Sequence, residues 1–463
     1  MERIIFHIDV NSAFLSWEAV YRLVYLKEKT DLRTIPSAVG GDKEKRHGII
    51  LAKSIPAKAF GVKTGESLGE ALAKCPDLVI VPPRYRLYEA SSQAFMEILR
   101  SYTPVVQQYS IDEAFMDMTG TRRLWGAPVT AAGVIRDRIY RELGFTVNIG
   151  VSNCKLLAKM ASDFKKPNRV HTLFPDEIAR KMWPLDVEDL FFVGRSTTKK
   201  LFTLGIHTIG DLAHADPALL CAHLGKAGLL LSQYANGVDL SPVETAREAN
   251  KGYGNSTTID HDLLTLDEMD PYLLALCETV CTRLRADSRY ASVAAVSVRD
   301  CFLSGMMHQR TLLSPTANAS ELYRISRELV RECWNGLPVR QLGVHTSGLS
   351  DSAEQHLNLF DGDRFIRQDQ AEHAVDEIRA RFGEGSIMRA RFLSSGKSAD
   401  TGGKKQPGGA APEPSPGSIS SPELFGDKAK KSDPLLDCYL KDPDEEPDLK
   451  QKHQYSLKPP GFR

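Results

Sequence analysis

Ile4-Ile5-Phe6-His7-Ile8-Asp9-Val10 is a short apolar run that carries an acid near its end. A run of this length reads as a buried strand, and a carboxylate at the tip of a buried strand is costly unless a cation balances it. Asn11 and Ser12 follow and can cap a helix through Phe14, Trp17, Val20 and Val24, so Asp9 falls at a strand-to-helix junction. A second segment, Tyr109-Ser110-Ile111-Asp112-Glu113-Ala114-Phe115, lies within 105–118, which reads as two strands about a tight polar turn holding Asp112 and Glu113. If the two segments meet, three carboxylates share one place. Hard oxygen donors in that number suit two Mg²⁺ ions and an in-line displacement at phosphorus.

Further along, Phe145, Val147, Ile149 and Val151 alternate with Thr146, Asn148 and Gly150, as in a half-buried strand ending at a Ser152-Asn153 helix cap. The helix after it has an apolar face of Leu156, Leu157, Met160, Ala161 and Phe164. Strands bearing acids near their ends, with helices over one face, make an α+β palm-like layer. Lys155, Lys159, Lys165, Lys166 and Arg169 form a basic strip that either grips phosphates or is a solvated face. Between about 35 and 80 the chain is punctuated by Gly and Pro, as in a small subdomain.

From Leu190 to Leu212, Val193-Gly194-Arg195 and Leu204-Gly205-Ile206 flank a short helix. The spacing suits a helix-hairpin-helix, with Gly194 and Gly205 at turns where backbone N–H groups meet a DNA phosphate, or a plain helical hairpin. Residues 241–253 are polar and read as a tether. Strands over 292–303 and 340–349, with helices near 267–286 and 319–334, form a second, smaller α+β unit. Past about 394 the chain is too poor in apolar residues to offset its ordering entropy and is expected to be disordered.

At 463 residues the chain exceeds one core, so two to four compact units are expected. Its 59 basic side chains against 59 acidic ones give no global sign of a nucleic-acid partner. No apolar run is long enough to cross a bilayer and the N-terminus enters a strand pattern at once, so no membrane role and a cytoplasmic location are expected. The eight cysteines are scattered, and Cys277 with Cys281 suits one helix face better than half a zinc site.

These residues resemble the Y-family translesion DNA polymerases of the DinB/UmuC type. The match runs through His7-Ile8-Asp9-Val10-Asn11-Ser12-Ala13-Phe14, Ala57-Lys58-Ala59-Phe60-Gly61-Val62-Lys63-Thr64-Gly65, Ser110-Ile111-Asp112-Glu113-Ala114, Asn148-Ile149-Gly150-Val151-Ser152 and Lys165-Lys166-Pro167-Asn168, in the family's order and over about residues 1–349. The resemblance implies a right-hand architecture. A ferredoxin-like palm would take 1–12 and 80–172, small fingers 13–79, a helical thumb with the hairpin 173–240, a linker 241–253 and a little finger 254–349. A clamp-binding peptide and an amphipathic helix would take 350–393, and a tail 394–463.

Asp9, Asp112 and Glu113 match the family's catalytic metal ligands, joined by the main-chain carbonyl of Val10. Phe14 matches its steric gate against a ribose 2′-OH, the other reading being a core aromatic. Lys166 matches the lysine on the incoming triphosphate. Ile55 and Lys58 stand where the family often has Tyr and Arg, so Lys58 is a nucleotide ligand without a bidentate fork. Asn11, where many members carry an acid, points to the UmuC-like bacterial branch.

Gln355-His356-Leu357-Asn358-Leu359-Phe360 resembles the peptide that docks on the bacterial sliding clamp (beta subunit), with Gln355, Leu357, Leu359 and Phe360 as its anchors. Ala374, Ile378 and Phe382 line one side of a later helical fragment. Ser421-Pro422-Glu423-Leu424-Phe425-Gly426 is either a minor docking peptide or a chance match. The implied function is template-directed, low-fidelity translesion synthesis on primer-template DNA in the SOS response, with dNTPs and two Mg²⁺, by a monomer with additional protein co-factors. A nuclease or nucleotidyl cyclase would leave Phe14, Lys166 and the hairpin unused. A clamp-tethered accessory DNA-binding protein with little activity of its own, activated by partner proteins, is the alternative.

Overall fold

The computed structural model describes residues 3–41, 48–246, 249–351, 362–383 and 385–390. Ile5–Val10 is the middle strand of a five-stranded sheet ordered Val106–Gln108, Glu113–Asp117, Ile5–Val10, Val147–Ser152, Val170–Thr172. All six of its residues are buried. Phe6, Ile8 and Val10 share a core with Leu87 and Phe95 of helix Tyr85–Arg100 and with Ile135 of helix Pro128–Leu143, while Ile5 meets Phe115 and Ala158 on the other face. A strand covered on both sides needs apolar residues at nearly every position, hence the unbroken run. His7 and Asp9 are the polar exceptions, and strand alternation puts them on the face of Ile5.

Two boundaries differ from the sequence reading. Glu113 opens the strand Glu113–Asp117, and the polar turn before it keeps Asp112. Val147–Ser152 is fully buried rather than half-buried, because helix Lys155–Ser162 folds back over the face carrying Asn148, Gly150 and Ser152. Gly150 lies opposite His7, and a Cβ there would stand 1.9 Å from the Ala158 carbonyl oxygen and 2.6 Å from the Ser162 nitrogen. Gly150→Ala must therefore push the helix off the sheet, at a cost of about 3 kcal/mol. Urea unfolding should show a clearly lowered midpoint, and an unchanged midpoint would contradict this packing.

The caps also differ. Ser12 precedes helix Ala13–Val24 in a left-handed conformation (φ 48°) and makes no side-chain cap. Cys154, not Ser152 or Asn153, precedes helix Lys155–Ser162, and the cap comes from afar: Asp239 accepts a 2.9 Å hydrogen bond from the Leu156 N–H. Asp239 belongs to a stretch laid across the sheet. Ser241 and Pro242 carbonyls accept from Arg3 and Lys155, and Val243 is buried against Ile5, Phe115 and Ala158. The tether read over 241–253 is thus docked at its start and ends inside a strand, Gly252–Leu263.

A small three-stranded sheet (Ile50–Lys53, Ser37–Gly40, Val79–Val81) carries the short helices Ile55–Ala59 and Leu68–Lys74. Beyond the large sheet, helices Arg195–Thr203, Ile209–His214, Pro217–Leu224 and Lys226–Ala235 gather around Leu201, Ile209, Leu212, Leu220 and Leu231. The last unit is an antiparallel sheet ordered Gly305–Thr316, Tyr290–Asp300, Val339–Ser350, Gly252–Leu263, and helices Leu266–Ala286 and Ala319–Cys333 pack with it. Its two outer strands escaped the sequence reading, being polar on much of their length. Cys277 and Cys281 are buried on one helix and form no disulfide.

Helix Gly362–Phe382 docks on Leu266–Ala286 by charge and not by the Ala374, Ile378 and Phe382 side, where Phe382 is exposed. Arg285 pairs with Glu372 and Asp376, Thr282 hydrogen-bonds Asp376, and Glu278 pairs with Arg379, in antiparallel order. Glu372 also accepts from the Ala319 N–H, closing the start of helix Ala319–Cys333.

Candidate active site

Asp9 and Glu113 are register partners across the antiparallel strands Ile5–Val10 and Glu113–Asp117. Asp112 is brought to them by the backbone, its carbonyl accepting a 3.0 Å hydrogen bond from the Val10 N–H. Its carboxylate is fixed by the Ser110 hydroxyl at 2.6 Å. The fold therefore brings Asp9, at the end of the middle strand, beside the adjacent pair Asp112 and Glu113, about a hundred residues away in sequence.

Two lysines face them. Lys166 Nζ lies 3.0 Å from Asp9 Oδ2 and 2.9 Å from Asp163 Oδ1, and Lys159 Nζ lies 2.8 Å from Glu113 Oε2. Burial pushes the Asp9 carboxyl up to about 7 against the pull of Lys166, and the neighbouring Glu113 charge adds to the rise. Burial also raises Asp112, partly offset by Ser110. At Glu113 burial works the same way, but the nearby His7 ring and Lys159 outweigh it and hold the carboxyl down at about 2. Glu113 is thus the acid whose charge its neighbours favour, whereas burial works against the charge on Asp9, despite Lys166, and on Asp112. Among the described residues no group of three or more His, Cys, Asp or Glu stands ready as a metal cage. Asp9 and Glu113 are instead each turned to a lysine.

The loop that carries Lys166 is tied down by two asparagines. Asn11 Oδ1 accepts from the Asn168 N–H and the Thr146 hydroxyl, both at 3.0 Å. Asn148 donates to the Ser162 and Lys165 carbonyls and accepts from the Arg169 N–H. Asn11 is therefore a neutral hub that sets where Lys166 can reach, a role an acid could not fill as both donor and acceptor. Lys155 is drawn away to the Pro242 carbonyl, so the basic strip splits into separate tasks.

Phe14 is partly buried and stacks on Tyr88 with ring centroids 4.7 Å apart, edge-on to Tyr85. Lys58 and Ile55 are exposed on the short helix Ile55–Ala59. Gly194 precedes helix Arg195–Thr203 and so lies at a helix N-terminus, whereas Gly205 follows that helix and spends its N–H on the Phe202 carbonyl. Both glycines therefore lie at the two ends of one short helix, Gly205 with its N–H engaged in the turn. Gln355, Leu357, Leu359 and Phe360 lie outside the described residues.

Sequence reasoning missed the burial of Lys159, and with it His7, whose Nδ1 lies 2.7 Å from Ser162 Oγ. The signal was a polar residue inside the first apolar run and a glycine opposite it.

Three family models match in order: the impB/mucB/samB family over residues 8–163, its HHH motif over 175–206, and its C-terminal domain over 250–359. A DNA polymerase IV of Clostridium acetobutylicum is 41% identical over 393 residues, covering 85% of this chain and 99% of its own length. The chain belongs to the Y-family of DNA polymerases. A DNA polymerase IV 2 of Bacillus subtilis is 37% identical over 402 residues, covering 85% of this chain and 95% of its own. A solved Y-family chimera of Dbh and Dpo4 superimposes with a TM-score of 0.64 at 22% identity, covering 75% of this chain and all of the other, which shows the fold.

The right-hand fold of the Y-family is therefore present, with palm, fingers, a thumb carrying the HHH motif, and a separate little finger. The chain is a DNA polymerase, a nucleotidyltransferase of the translesion class, and the nuclease and cyclase readings fall. The curated relatives carry the name DNA polymerase IV, so Asn11 does not mark a UmuC-like branch. The HHH match ends at 206, which sets the motif earlier than the 190–212 reading. Among the described residues no helix is long and apolar enough to cross a membrane.

Proposed function

We propose that this polymerase extends primers past damaged template bases with low fidelity, by a two-Mg²⁺ reaction at Asp9, Asp112 and Glu113. The observation that carries the reading is the Asp9–Glu113 register pair with Asp112 at its flank, where burial works against the charge on Asp9 and Asp112. A set of hard oxygens fits Mg²⁺, and the Val10 carbonyl adds another such oxygen at the strand end. When bound, the ions would lower the pKa of the primer 3′-OH and neutralise charge on the triphosphate and the departing pyrophosphate.

The chain's own residues do the rest. Lys166 leaves Asp9 to meet the triphosphate, its stem already aimed by Asn11 and Asn148. Lys58 adds a point charge from the fingers, and without the planar fork of arginine it grips less rigidly. Phe14, backed by Tyr88, fills the space a ribose 2′-OH would need. Gly194 at its helix N-terminus offers the thumb a contact to DNA phosphate.

Primer extension tests the proposal. The purified chain with dNTPs and Mg²⁺ should extend primers on undamaged and abasic templates and stop on chelation of the metal. Failure on every template with Mg²⁺ supplied would refute it.

The same reading holds that Gln355, Leu357, Leu359 and Phe360 dock on the sliding clamp, which would raise the local concentration of primer ends. The Leu359→Ala/Phe360→Ala pair should abolish clamp stimulation, a loss of about tenfold or more for two apolar anchors, and should leave clamp-free extension intact. Equal stimulation would remove the motif from the account.

A further inference from the structure

We propose that Lys159 is a positioning residue that holds the Glu113 carboxylate as a stand-in cation, and that the rings of Tyr109 and Phe191 keep its ammonium there. The inference rests on the reading of Glu113 as a metal ligand.

Lys159 is placed by packing. Gly150 lets helix Lys155–Ser162 approach the palm sheet, Ser162 donates to the Lys159 carbonyl at 2.7 Å, and the His7 ring braces Ser162 from the strand. The side chain is then largely buried, with only 10% of it exposed. Its one described carboxylate partner is Glu113 at 2.8 Å. Its other surroundings are aromatic: the ammonium lies 5.6 Å from the centroid of Tyr109 and 5.3 Å from that of Phe191. The two rings meet edge to face at 6.0 Å, and Tyr109 also leans on Phe115, two residues along the strand from Glu113. Ring faces replace the water that an ammonium gives up on burial.

The two walls of this box have different owners. Tyr109 precedes the catalytic turn of the palm. Phe191 follows Leu190, which is buried with Leu201 and Ile209 in a core that also takes in Leu156, Leu157, Met160 and Ala161 of the helix carrying Lys159, and Phe191 contacts Phe192, which in turn meets Tyr234 of the last thumb helix. A divalent cation binding at Glu113 competes with the ammonium, and the competition sets the apparent metal affinity.

Mn²⁺ binding, read by the loss of the free-ion EPR signal without DNA or nucleotide, tests this directly. Lys159→Met should bind Mn²⁺ about tenfold more tightly because the competing cation is gone, and Lys159→Arg should restore wild-type binding. In steady-state extension Lys159→Met should lower kcat with little change in the dNTP KM, since Glu113 is no longer aimed. Phe191→Leu, which keeps apolar volume but loses the ring face, should shift Mn²⁺ binding in the same direction with unchanged DNA affinity. Wild-type Mn²⁺ binding in Lys159→Met, or a Phe191→Leu effect confined to DNA affinity, would overturn the proposal. Glu113→Gln separates the two failures. If it binds Mn²⁺ like the wild type, the metal-ligand reading is wrong. If it loses Mn²⁺ while Lys159→Met is unaltered, only the role of Lys159 is wrong.

Discussion

Asp9→Asn and Asp112→Asn should each lower kcat by roughly a thousandfold, because withdrawing a charged ligand forfeits about 4 kcal/mol of transition-state stabilisation. The substitution keeps shape and removes charge, which isolates the effect. At position 9 the fold has little to lose. Burial already disfavours the ionised carboxyl, and Lys166 retains Asp163 at 2.9 Å when Asp9 is neutral. Primer-template affinity, measured by fluorescence anisotropy, should therefore stay within about twofold of wild type, since the DNA grip does not run through one carboxylate. Kinetics within tenfold of wild type in either variant would remove that residue from the ligand set.

Phe14→Ala should open the polymerase to ribonucleotides. The ring is held by Tyr88 beneath it and Tyr85 at its edge, so it cannot swing aside to admit a 2′-OH. Forcing a hydroxyl into filled space costs about 1 to 3 kcal/mol, so discrimination between dNTP and rNTP should fall roughly 10- to 100-fold. Single-nucleotide insertion, comparing kcat/KM for dCTP and CTP opposite template guanine, gives the ratio. An unaltered ratio, with dNTP insertion still efficient, would assign Phe14 to the core with Trp17 and move sugar selection elsewhere.

The palm was legible because its central strand is buried on both faces and its acids interrupt that burial. A residue that violates the apolar pattern at such a place is visible without coordinates. Asp9, Asp112 and Glu113 could be paired on that basis, and the family resemblance supplied the rest of the architecture. What stayed hidden was long-range. The cap on helix Lys155–Ser162 comes from Asp239, at the end of the stretch read as thumb, and Val243 is buried against Phe115 although it lies in the stretch read as linker. Local sequence cannot report a partner eighty residues away.

Lys159 shows the same limit in another form. On its own helix it looks like a solvated charge four residues from Lys155, and only the close approach at Gly150 turns it inward to Glu113. The helix Gly362–Phe382 was read through its apolar side, yet its docking uses the carboxylate and guanidinium order Glu372, Asp376, Arg379 against Arg285, Thr282, Glu278. Charge complementarity between two helices is a property of the pair, and neither sequence alone displays it.

The central claim is that three acids remote in sequence cradle two divalent ions. Anomalous scattering from manganese in crystals of the chain with primer-template DNA and an unreactive dNTP analogue tests it most directly. The account predicts two manganese sites bounded by oxygens of Asp9, Asp112 and Glu113, with Lys166 released from Asp9 toward the triphosphate. Manganese bound away from these side chains, or Asp9 and Glu113 still paired to their lysines in the complete complex, would contradict it.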